Sequence, residues 1–474
     1  MHGCIRVERK LGSFLDQPEL TTVSTTRTLL QNTAERAIAF LESLPNRPVT
    51  PTPEALHQLR EFEEPIPENG RDASAVIAML DKVGTPASIA MPGPRYFGFV
   101  IGGCLPASLA ANWLTNTWDQ NTGMYEVTPA TARIEALSLA WLLDLLQLPA
   151  DTAGSFVTGA TMANCTALAA ARNAVLSRVG WDVEADGLIG APPISVVISE
   201  ESHPSVYKSL GLLGLGRNRV KRIPTDAQGR MRPEQIPTVE GPTIVITQVG
   251  NVNTGACDPV GQICAQTGDA WVHVDGAFGL WAAASPRYRH LVAGIENADS
   301  WATDAHKWLN VPYDSGVAFV RDANALKAAM AITAAYLPSD TAGRNPSDFT
   351  PELSRRARGV EIWAAIAELG RTGVAQLVER CCELARRFAD GLQAEGFDVL
   401  NEVALNQVLV SFGDDDTTRR TIEAIQKDGT CWCGITVWQG KTAMRISVSN
   451  WSTTTADVDL SLAAIIAAAR RCRQ

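Results

Sequence analysis

Two segments of this 474-residue chain place a candidate amine and a candidate acid where they could act together. Lys307 lies in ATDAHKWLN, and its neighbours His306 and Trp308 are bulky residues in a segment with little charge. Such surroundings are typical of a partly buried amine that forms Schiff bases, although most lysines lie at the surface. Asp275 ends the apolar run AWVHVD, where a carboxylate can pair with a buried cation or simply cap the next segment.

Two further segments follow apolar runs that have the character of strands. The segment GATMAN, residues 159–164, lies between SFV and a long helical segment, and its small residues let backbone N–H groups meet an anion at the helix N-terminus. Ordinary N-capping is the competing explanation. His203 follows the run SVVIS, where a histidine is more often a satisfied polar residue than a catalyst. All four segments lie at strand ends, which is where open α/β sheets bind ligands.

The elements that must position these groups alternate along the chain. From about residue 130 to 320, helical segments such as ATARIEALSLAWLLDLLQL alternate with short β-branched runs. The clearest runs are SVVIS at 195–199, TIVITQV at 243–249, AWVHVD at 270–275 and SGVAFV at 315–320. Such runs, bounded by Gly, Pro and Asp, are typical of buried parallel strands, so the sequence predicts a layered α/β unit. We predict a helical N-terminal arm at 1–85, a large domain at 86–330 and a small α+β domain at 331–474.

Charge and composition exclude several classes of partner. The 41 Lys and Arg against 51 Asp and Glu give a formal net charge of -10, the wrong sign for binding nucleic acid or anionic membranes. Residues 96–118 carry no charge and are long enough to span a bilayer, but Gly102, Gly103, Pro106 and several polar residues make a poor lipid-facing helix. The ten cysteines lack zinc-site spacing, which predicts reduced thiols, no metal site and a cytoplasmic protein.

Taken together and in this order, the motifs resemble those of the group II pyridoxal-phosphate-dependent decarboxylases, which include glutamate and aromatic amino acid decarboxylases. The resemblance extends from about Pro94 to Trp451, and its strongest part is the pair HVDGA and HKW, with Asp275 and Lys307 32 residues apart. It implies the fold-type-I architecture, with a mostly parallel seven-stranded sheet in the large domain, a small α+β C-terminal domain, and homodimers with shared active sites. The supporting segments are PRYFGF, YEVTPATARIE, FVTGATMAN, SEESHPS, VGNVNTGACDP, WVHVDGAFG, DAHKWLN and MRISVSNW.

The resemblance implies a role for each residue around the cofactor, pyridoxal 5′-phosphate. Lys307 would hold the cofactor as a Schiff base and exchange it for the amine of an amino acid substrate. Asp275 would pair with the pyridine nitrogen and keep it protonated, so that the ring acts as an electron sink. His203 would stack on one face of the ring, while the small Ala277 leaves the other face free.

Further residues would hold the anionic groups. Thr161, the Ala160 backbone and His306 would surround the phosphate at a helix N-terminus, and Asn164 of the same GATMAN segment is also assigned to the cofactor. Arg445 matches the family arginine that takes the substrate carboxylate, because the fork of a guanidinium suits a planar anion.

Two departures from the family bear on specificity and on the reaction. Phe99, with Val100 and Ile101, forms an apolar wall where glutamate decarboxylases carry a polar residue, which favours an aromatic or otherwise apolar substrate over an acidic one. In the loop between the domains, the position of the family's proton-donating tyrosine best matches Phe349, although Tyr336 could serve instead.

The main functional prediction is the decarboxylation of an L-amino acid to its amine and carbon dioxide. In this family a phenylalanine in place of the donor tyrosine is associated with oxygen-dependent formation of an aldehyde. An aldehyde synthase, or another carbon–carbon lyase of the same fold, is therefore the alternative. A nucleotide-binding oxidoreductase is a weaker alternative, because the Gly-rich GLLGLG at 211–216 lacks G-x-G-x-x-G spacing.

Overall fold

The computed structural model describes residues 23–332 and 343–473. Its contacts divide the chain into two units, one within residues 23–47 and 51–89, and the other within 48–50 and 90–473. The described part of the predicted arm falls in the first unit except for residues 48–50, while the predicted domain boundaries themselves stay predictions. The helices of the first unit are α1 (Val23–Ser43), α2 (Pro53–Gln58), α3 (Ala73–Met79) and α4 (Thr85–Ala87).

Side chains cap two helices of the first unit. Thr52 accepts a hydrogen bond of 3.2 Å from a backbone N–H at the start of α2, and Asp72 accepts one of 3.0 Å at the start of α3. Each cap satisfies a donor that the first helical turn leaves without a partner. An ion pair of 2.6 Å between Arg36 and Asp81 ties α1 to the turn after α3.

The second unit combines helices with two sheets. Gly370, with a φ of 61°, interrupts its longest helix, so that α12 consists of two segments joined at a kink. The helices are α5 (Pro106–Trp118), α6 (Pro129–Leu145), α7 (Ala160–Ser177), α8 (Val183–Asp186), α9 (Pro204–Leu212), α10 (Val260–Gln266), α11 (Ala323–Met330), α12 (Gly359–Ala394), α13 (Asp415–Asp428) and α14 (Thr455–Arg473).

The larger sheet has seven strands in the order β1-β7-β6-β5-β4-β2-β3. Pairing is parallel from β6 through β5, β4 and β2 to β3, so the predicted mostly parallel α/β fold is confirmed. The run at 315–320 was wrongly predicted to be parallel, because β7 pairs antiparallel with both β1 and β6. A buried apolar run has the same composition in either direction. The strands are β1 (Ala153–Val157), β2 (Ser195–Ser199), β3 (Val220–Ile223), β4 (Thr243–Gln248), β5 (Trp271–Asp275), β6 (Ser300–Asp304) and β7 (Gly316–Val320).

Alternate residues of each central strand face opposite helical layers. On β4, Ile244 and Ile246 belong to a buried cluster with α7, whereas Val245 belongs to a cluster with α6 and α12. Every residue of β4 to β7 is buried. Because helices cover both faces, these strands carry apolar residues on both faces, which is why the sequence identified the runs of β4, β5 and β7 as buried.

The smaller sheet is antiparallel, in the order β10-β11-β9-β8. A two-residue turn joins β10 to β11, and its residues Gln439 and Gly440 have φ values of 47° and 80°. Positive φ at both positions matches the twist of an antiparallel hairpin and fixes the register that pairs Gly434 with Arg445. The strands are β8 (Asp398–Val399), β9 (Gln407–Ser411), β10 (Gly434–Trp438) and β11 (Lys441–Ser447).

Residues 96–118 and 211–216, which could have indicated a membrane span and a dinucleotide-binding loop, form neither in the structure. Of the uncharged residues 96–118, only α5 is helical, and within the described parts of the chain no helix is long and apolar enough to cross a membrane. The Gly-rich 211–216 covers the end of α9 and the turn after it. It does not lie between a strand and the start of a helix, where a dinucleotide-binding loop belongs.

A close backbone contact ties the sheet to the start of α7. A Cβ atom added at Gly316, the first residue of β7, would lie 2.4 Å from the Cα atom of Gly159, which directly precedes α7. Any larger residue at 316 therefore displaces the N-terminus of α7.

We expect Gly316→Ala to destabilise the protein by about 1–3 kcal/mol, because the added methyl overpacks a backbone contact. Urea unfolding monitored by circular dichroism measures this difference. Gly70→Ala is the control, since a Cβ at Gly70 meets no atom within 4 Å; its effect should stay within about 0.5 kcal/mol. Equal stability of the Gly316→Ala and wild-type proteins would show that the contact is not tight.

Candidate active site

A cavity of about 550 Å³ lies at the carboxyl ends of β4, β5 and β6. Residues from both sheets reach it, because Arg445 comes from β11 while Asp275 and Asp304 end strands of the larger sheet. Most sequence-predicted site residues meet here. Those that line the cavity are Phe99, Ala160, Thr161, His203, Asp275, Ala277, His306, Lys307 and Arg445.

Asp275 presents a buried carboxylate to the cavity. The residue is 3% exposed, and its carboxylate accepts hydrogen bonds from Ala277 N at 3.3 Å and from Asn164 Nδ2 at 3.2 Å. Burial raises the pKa of Asp275, while the nearby His203 and Lys307 oppose that rise. A carboxylate in this setting is stabilised by a cationic partner, such as a protonated ring nitrogen.

Asn164 does not line the cavity but stands behind Asp275 and orients it. Its amide oxygen is 2.9 Å from His273 Nε2, and His273 Nδ1 is 2.8 Å from Ser300 Oγ. Trp271 Nε1 donates to the same hydroxyl at 2.8 Å. The hydrogen bonds therefore run in one direction from Trp271 to Asp275, with the proton of His273 on Nε2.

Sequence reasoning missed Trp271, Ser300 and His273 in this chain of hydrogen bonds, and His273 is the one with a titratable ring. It is fully buried, and burial lowers its pKa to about 3, so that the ring is neutral. A detectable signal was present in the run WVHVD. Residues two apart on a strand face the same side, so His273 had to share the face of Asp275.

His203 is held by the helix that follows it. It caps α9, where its Nδ1 accepts a hydrogen bond of 3.2 Å from Ser205 N and lies 2.7 Å from Ser205 Oγ. Pro204 occupies the first position of α9, where a proline fits because its missing N–H needs no partner. Burial lowers the pKa of His203, which favours a neutral imidazole that can stack on a flat ring.

The start of α7 forms the anion-binding end of the cavity, and a residue of the chain itself already lies there. Asp304 Oδ1 accepts a hydrogen bond of 2.6 Å from Ala160 N and lies 3.6 Å from His306 Nε2. Asp304 Oδ2 is 3.0 Å from Lys307 Nζ. Ser315 N donates to His306 Nδ1, so Nε2 of His306 carries the proton, and burial lowers the pKa of this ring.

Sequence reasoning missed Asp304 as well. It lies three residues before Lys307 in TDAHKW, and the spacing brings the two side chains together at the end of β6. Its carboxylate acts as a stand-in anion and shows that the α7 N-terminus, Lys307 and His306 can receive a negative group.

Arg445 provides a second cationic group. It is 9% exposed, and its Nη1 donates to Val252 O at 3.2 Å. Burial lowers its pKa, and its buried Nε has no hydrogen-bond partner within the residues described. A buried guanidinium with an unused donor is suited to receive a carboxylate.

A stack of three aromatic rings forms the wall that contains Phe99. The ring of Trp432 lies 5.5 Å from that of Phe99 and 5.1 Å from that of Tyr96. Gly98 permits this stack, since a Cβ there would lie 2.2 Å from the indole. Phe99 and Val100 have φ values of 54° and 59°, which is unusual for residues with side chains and holds Phe99 at the cavity.

The two residues predicted as alternative proton donor positions have different outcomes. Tyr336 lies outside the described residues. Phe349 does not line this cavity. It packs beside the buried cluster around α7, and the Cζ atom of Arg344 lies 4.1 Å from the centroid of the Phe349 ring. The roles of both residues stay predictions.

The donor set fits pyridoxal 5′-phosphate. The α7 N-terminus and His306 suit the phosphate, Asp275 suits a protonated ring nitrogen, Lys307 supplies the amine, and Arg445 retains an unused donor for a carboxylate. In the described parts of the chain, His, Cys, Asp and Glu residues form no cluster of three or more that could hold a metal ion.

Comparison with known proteins agrees with this geometry. A family model described as the pyridoxal-dependent decarboxylase conserved domain matches residues 54–413. The chain is 26% identical over 445 residues to the aromatic-L-amino-acid decarboxylase of Bacillus atrophaeus, covering 89% of this chain and 90% of that protein. It is 29% identical over 367 residues to the acidic amino acid decarboxylase GADL1 of Mus musculus, covering 74% and 65% respectively.

A solved structure shares the fold. The crystal structure of Oryza sativa TDC with PLP and tryptamine superposes with a TM-score of 0.87 at 22% identity, covering 97% of this chain and 99% of that one. The fold-type-I architecture predicted from the motifs is therefore confirmed.

We predict that the buried neutral state of His273 makes the protein less stable in acid. The unfolded state binds a proton below the ordinary histidine pKa of about 6.5, whereas the folded state resists it until about pH 3. The wild-type free energy of unfolding should therefore fall relative to that of His273→Gln by about 1.4 kcal/mol per pH unit below pH 6.5.

Urea unfolding of both proteins between pH 6.5 and 4.5 measures this slope. Burial raises the pKa of Asp258 to about 7, so protonation of this residue stabilises both proteins as the pH falls. Comparing the free energies of unfolding of the two proteins at each pH removes this shared contribution. His290→Gln, at an exposed site, controls for the loss of one titratable ring. A pH-independent difference between wild type and His273→Gln would contradict a neutral His273.

Proposed function

The chain belongs to the pyridoxal-dependent decarboxylase family and is a pyridoxal-phosphate-dependent amino acid decarboxylase, and we propose that its substrate is an L-amino acid with an aromatic or otherwise apolar side chain. The observation that carries the proposal is the wall formed by Phe99 and Val100, which the ring of Trp432 supports from behind. An apolar side chain placed against this wall is removed from water without losing hydrogen bonds.

The charges around the cavity also favour an apolar side chain. Among the described residues that line it, the cationic side chains are Lys307 and Arg445, since burial favours neutral rings for His203 and His306. We assign Lys307 to the cofactor and Arg445 to the α-carboxylate of the substrate. A second carboxylate on the substrate would then be buried without a cationic partner, which is costly.

Bound pyridoxal phosphate supplies an electron sink for the bond to the departing carboxylate. The residues of the chain prepare that step. Lys307 would hold the cofactor covalently, and Asp275, fixed by Asn164, would keep a proton on the ring nitrogen. Arg445 would bind the α-carboxylate and orient the bond to be broken. The neutral His203 would pack on the ring and help to exclude water.

The products distinguish this reaction from the aldehyde synthase alternative. A decarboxylase releases the amine and carbon dioxide. An aldehyde synthase instead consumes oxygen and water and releases the aldehyde, carbon dioxide, ammonia and peroxide. The alternative rests on Phe349 at the predicted donor position, and Tyr336 is the candidate donor that would favour the amine. Product analysis in air decides between the two outcomes.

We expect the purified, cofactor-loaded protein to turn over aromatic L-amino acids faster than glutamate or aspartate, releasing amine and carbon dioxide. Phe99→Ser should raise the KM for the aromatic substrate about 10-fold, because it removes a large apolar contact. Steady-state kinetics across a panel of amino acids measures both effects. Phe62→Ser, at an exposed residue that does not line the cavity, is the matched control, and Lys307→Ala should be inactive.

Equal or better turnover of glutamate or aspartate would contradict the apolar preference. Ammonia and peroxide in amounts matching the carbon dioxide would instead assign the protein as an aldehyde synthase. An active Lys307→Ala variant with the cofactor's full absorbance would show that Lys307 is not the cofactor-binding amine.

We also propose that the chain forms a homodimer with shared active sites. An exposed aromatic surface on α5, α6 and α12 supports this proposal, because large exposed apolar patches rich in tryptophan are typical of interfaces. Trp141 and Trp363 stack with centroids 5.9 Å apart, and α5 packs along α12. The exposed large apolar residues of these three helices are Trp113, Leu114, Trp118, Trp141 and Trp363.

Size-exclusion chromatography with light scattering should give twice the chain mass of 50.8 kDa for the wild-type protein. The double substitution Trp113→Glu with Trp118→Glu should shift this mass to that of a single chain, because two buried charges oppose association. Leu212→Glu, at an exposed site on α9, is the control and should remain dimeric. A wild-type monomer, or a dimer that survives the double substitution, would contradict the assignment.

A further inference from the structure

We propose that the carboxylate of Asp304 occupies the phosphate subsite until the cofactor enters. It thereby limits how tightly the phosphate of the cofactor is bound. The inference rests on the cofactor and is independent of the proposed substrate. It concerns an acidic side chain at the N-terminus of α7, where the phosphate of the cofactor is expected to bind.

The carboxylate of Asp304 lies among the groups that a phosphate needs. It accepts a hydrogen bond of 2.6 Å from Ala160 N, the first N–H of the 18-residue helix α7, and it is 3.0 Å from Lys307 Nζ. His306 Nε2 lies 3.6 Å away. The Asp304 side chain is 3% exposed, so these contacts replace water almost completely.

Two hydrogen bonds fix the main chain of Asp304 beside Gly159. Its N–H donates to Ala277 O at 3.0 Å, and its carbonyl accepts a hydrogen bond of 3.0 Å from Trp281 Nε1. Gly159 leaves space beside it, since a Cβ there would lie 3.4 Å from Asp304 Oδ1 and 3.3 Å from His306 Cε1. A phosphate can therefore displace the carboxylate only by rotation of the side chain.

Two anions at one helix N-terminus oppose each other. The α7 N-terminus stabilises one negative group, and a phosphate beside an ionised Asp304 meets repulsion that a low local dielectric strengthens. Part of the binding free energy of the phosphate is spent on moving the carboxylate away from Ala160 N. Replacing Asp304 by a neutral residue of similar shape removes that opposition and keeps a cap on the helix.

The test compares ligands that differ only in the phosphate. Full-length protein freed of cofactor is titrated with pyridoxamine 5′-phosphate and with pyridoxamine, and binding is followed by tryptophan fluorescence. Neither ligand carries an aldehyde, so neither bonds covalently to Lys307. Asp304→Asn should bind the phosphorylated ligand about 10-fold more tightly than wild type and change pyridoxamine binding less than about 2-fold.

Two further variants make the result decisive. Asp304→Ser can also cap α7 and should shift phosphate binding in the same direction, which covers a failure of Asp304→Asn to fold. Asp322→Asn is the matched control, since Asp322 caps α11 outside the cavity and its replacement should leave both affinities unchanged. Unchanged or weaker binding of pyridoxamine 5′-phosphate by both Asp304 variants would overturn the proposal. An equal shift for the two ligands would overturn it as well, because the effect would then not concern the phosphate.

Discussion

The buried carboxylate of Asp275 is the constraint on which the rest of the site depends. A carboxylate that is 3% exposed must be stabilised by hydrogen bonds and by a cation. The chain supplies the hydrogen bonds from Asn164 and Ala277, and the cationic partner that we propose is the protonated ring nitrogen of the cofactor. His273, which lies behind Asn164, is neutral. A charged ring there would itself stabilise the Asp275 carboxylate, which would then bind a cationic ligand less strongly.

The fold meets this constraint with a row of polar residues that runs along one face of the sheet to the carboxyl ends of the strands. On the face of the sheet that α7 covers, β5 carries Trp271, His273 and Asp275, and β6 carries Ser300 and Asp304. The apolar residues of these strands hold the layers together, and the polar ones satisfy each other until the last residue of each strand. Asp275 and Asp304 then face a common cavity, which is the geometry expected at the carboxyl ends of parallel strands.

The opposite side of the cavity comes from distant parts of the chain. The segment around Phe99 pairs with the segment around Trp432, through a hydrogen bond of 2.8 Å from Phe97 N to Trp432 O. Arg445 lies on β11 of the smaller sheet, and Trp432 lies two residues before β10. This sheet and the segment that leads into it therefore contribute the proposed carboxylate-binding group and the support for the apolar wall. The large sheet thus provides contacts proposed for the cofactor, and the segments on this opposite side provide those proposed for the substrate.

The sequence by itself determined the family and the α/β class, and it identified nine of the 22 residues that line the cavity. Local motifs sufficed for Lys307, Asp275 and His203, because Asp275 and His203 lie at the ends of apolar runs and Lys307 lies in the DAHKWLN segment. Only the tertiary structure decided that Asn164 supports Asp275 from behind and that Asp304 meets the α7 N-terminus. It also decided that β7 runs antiparallel and that Trp432 supports Phe99. These facts depend on contacts between residues tens to hundreds of positions apart, and neither residue spacing nor hydrophobic periodicity encodes which distant segments touch.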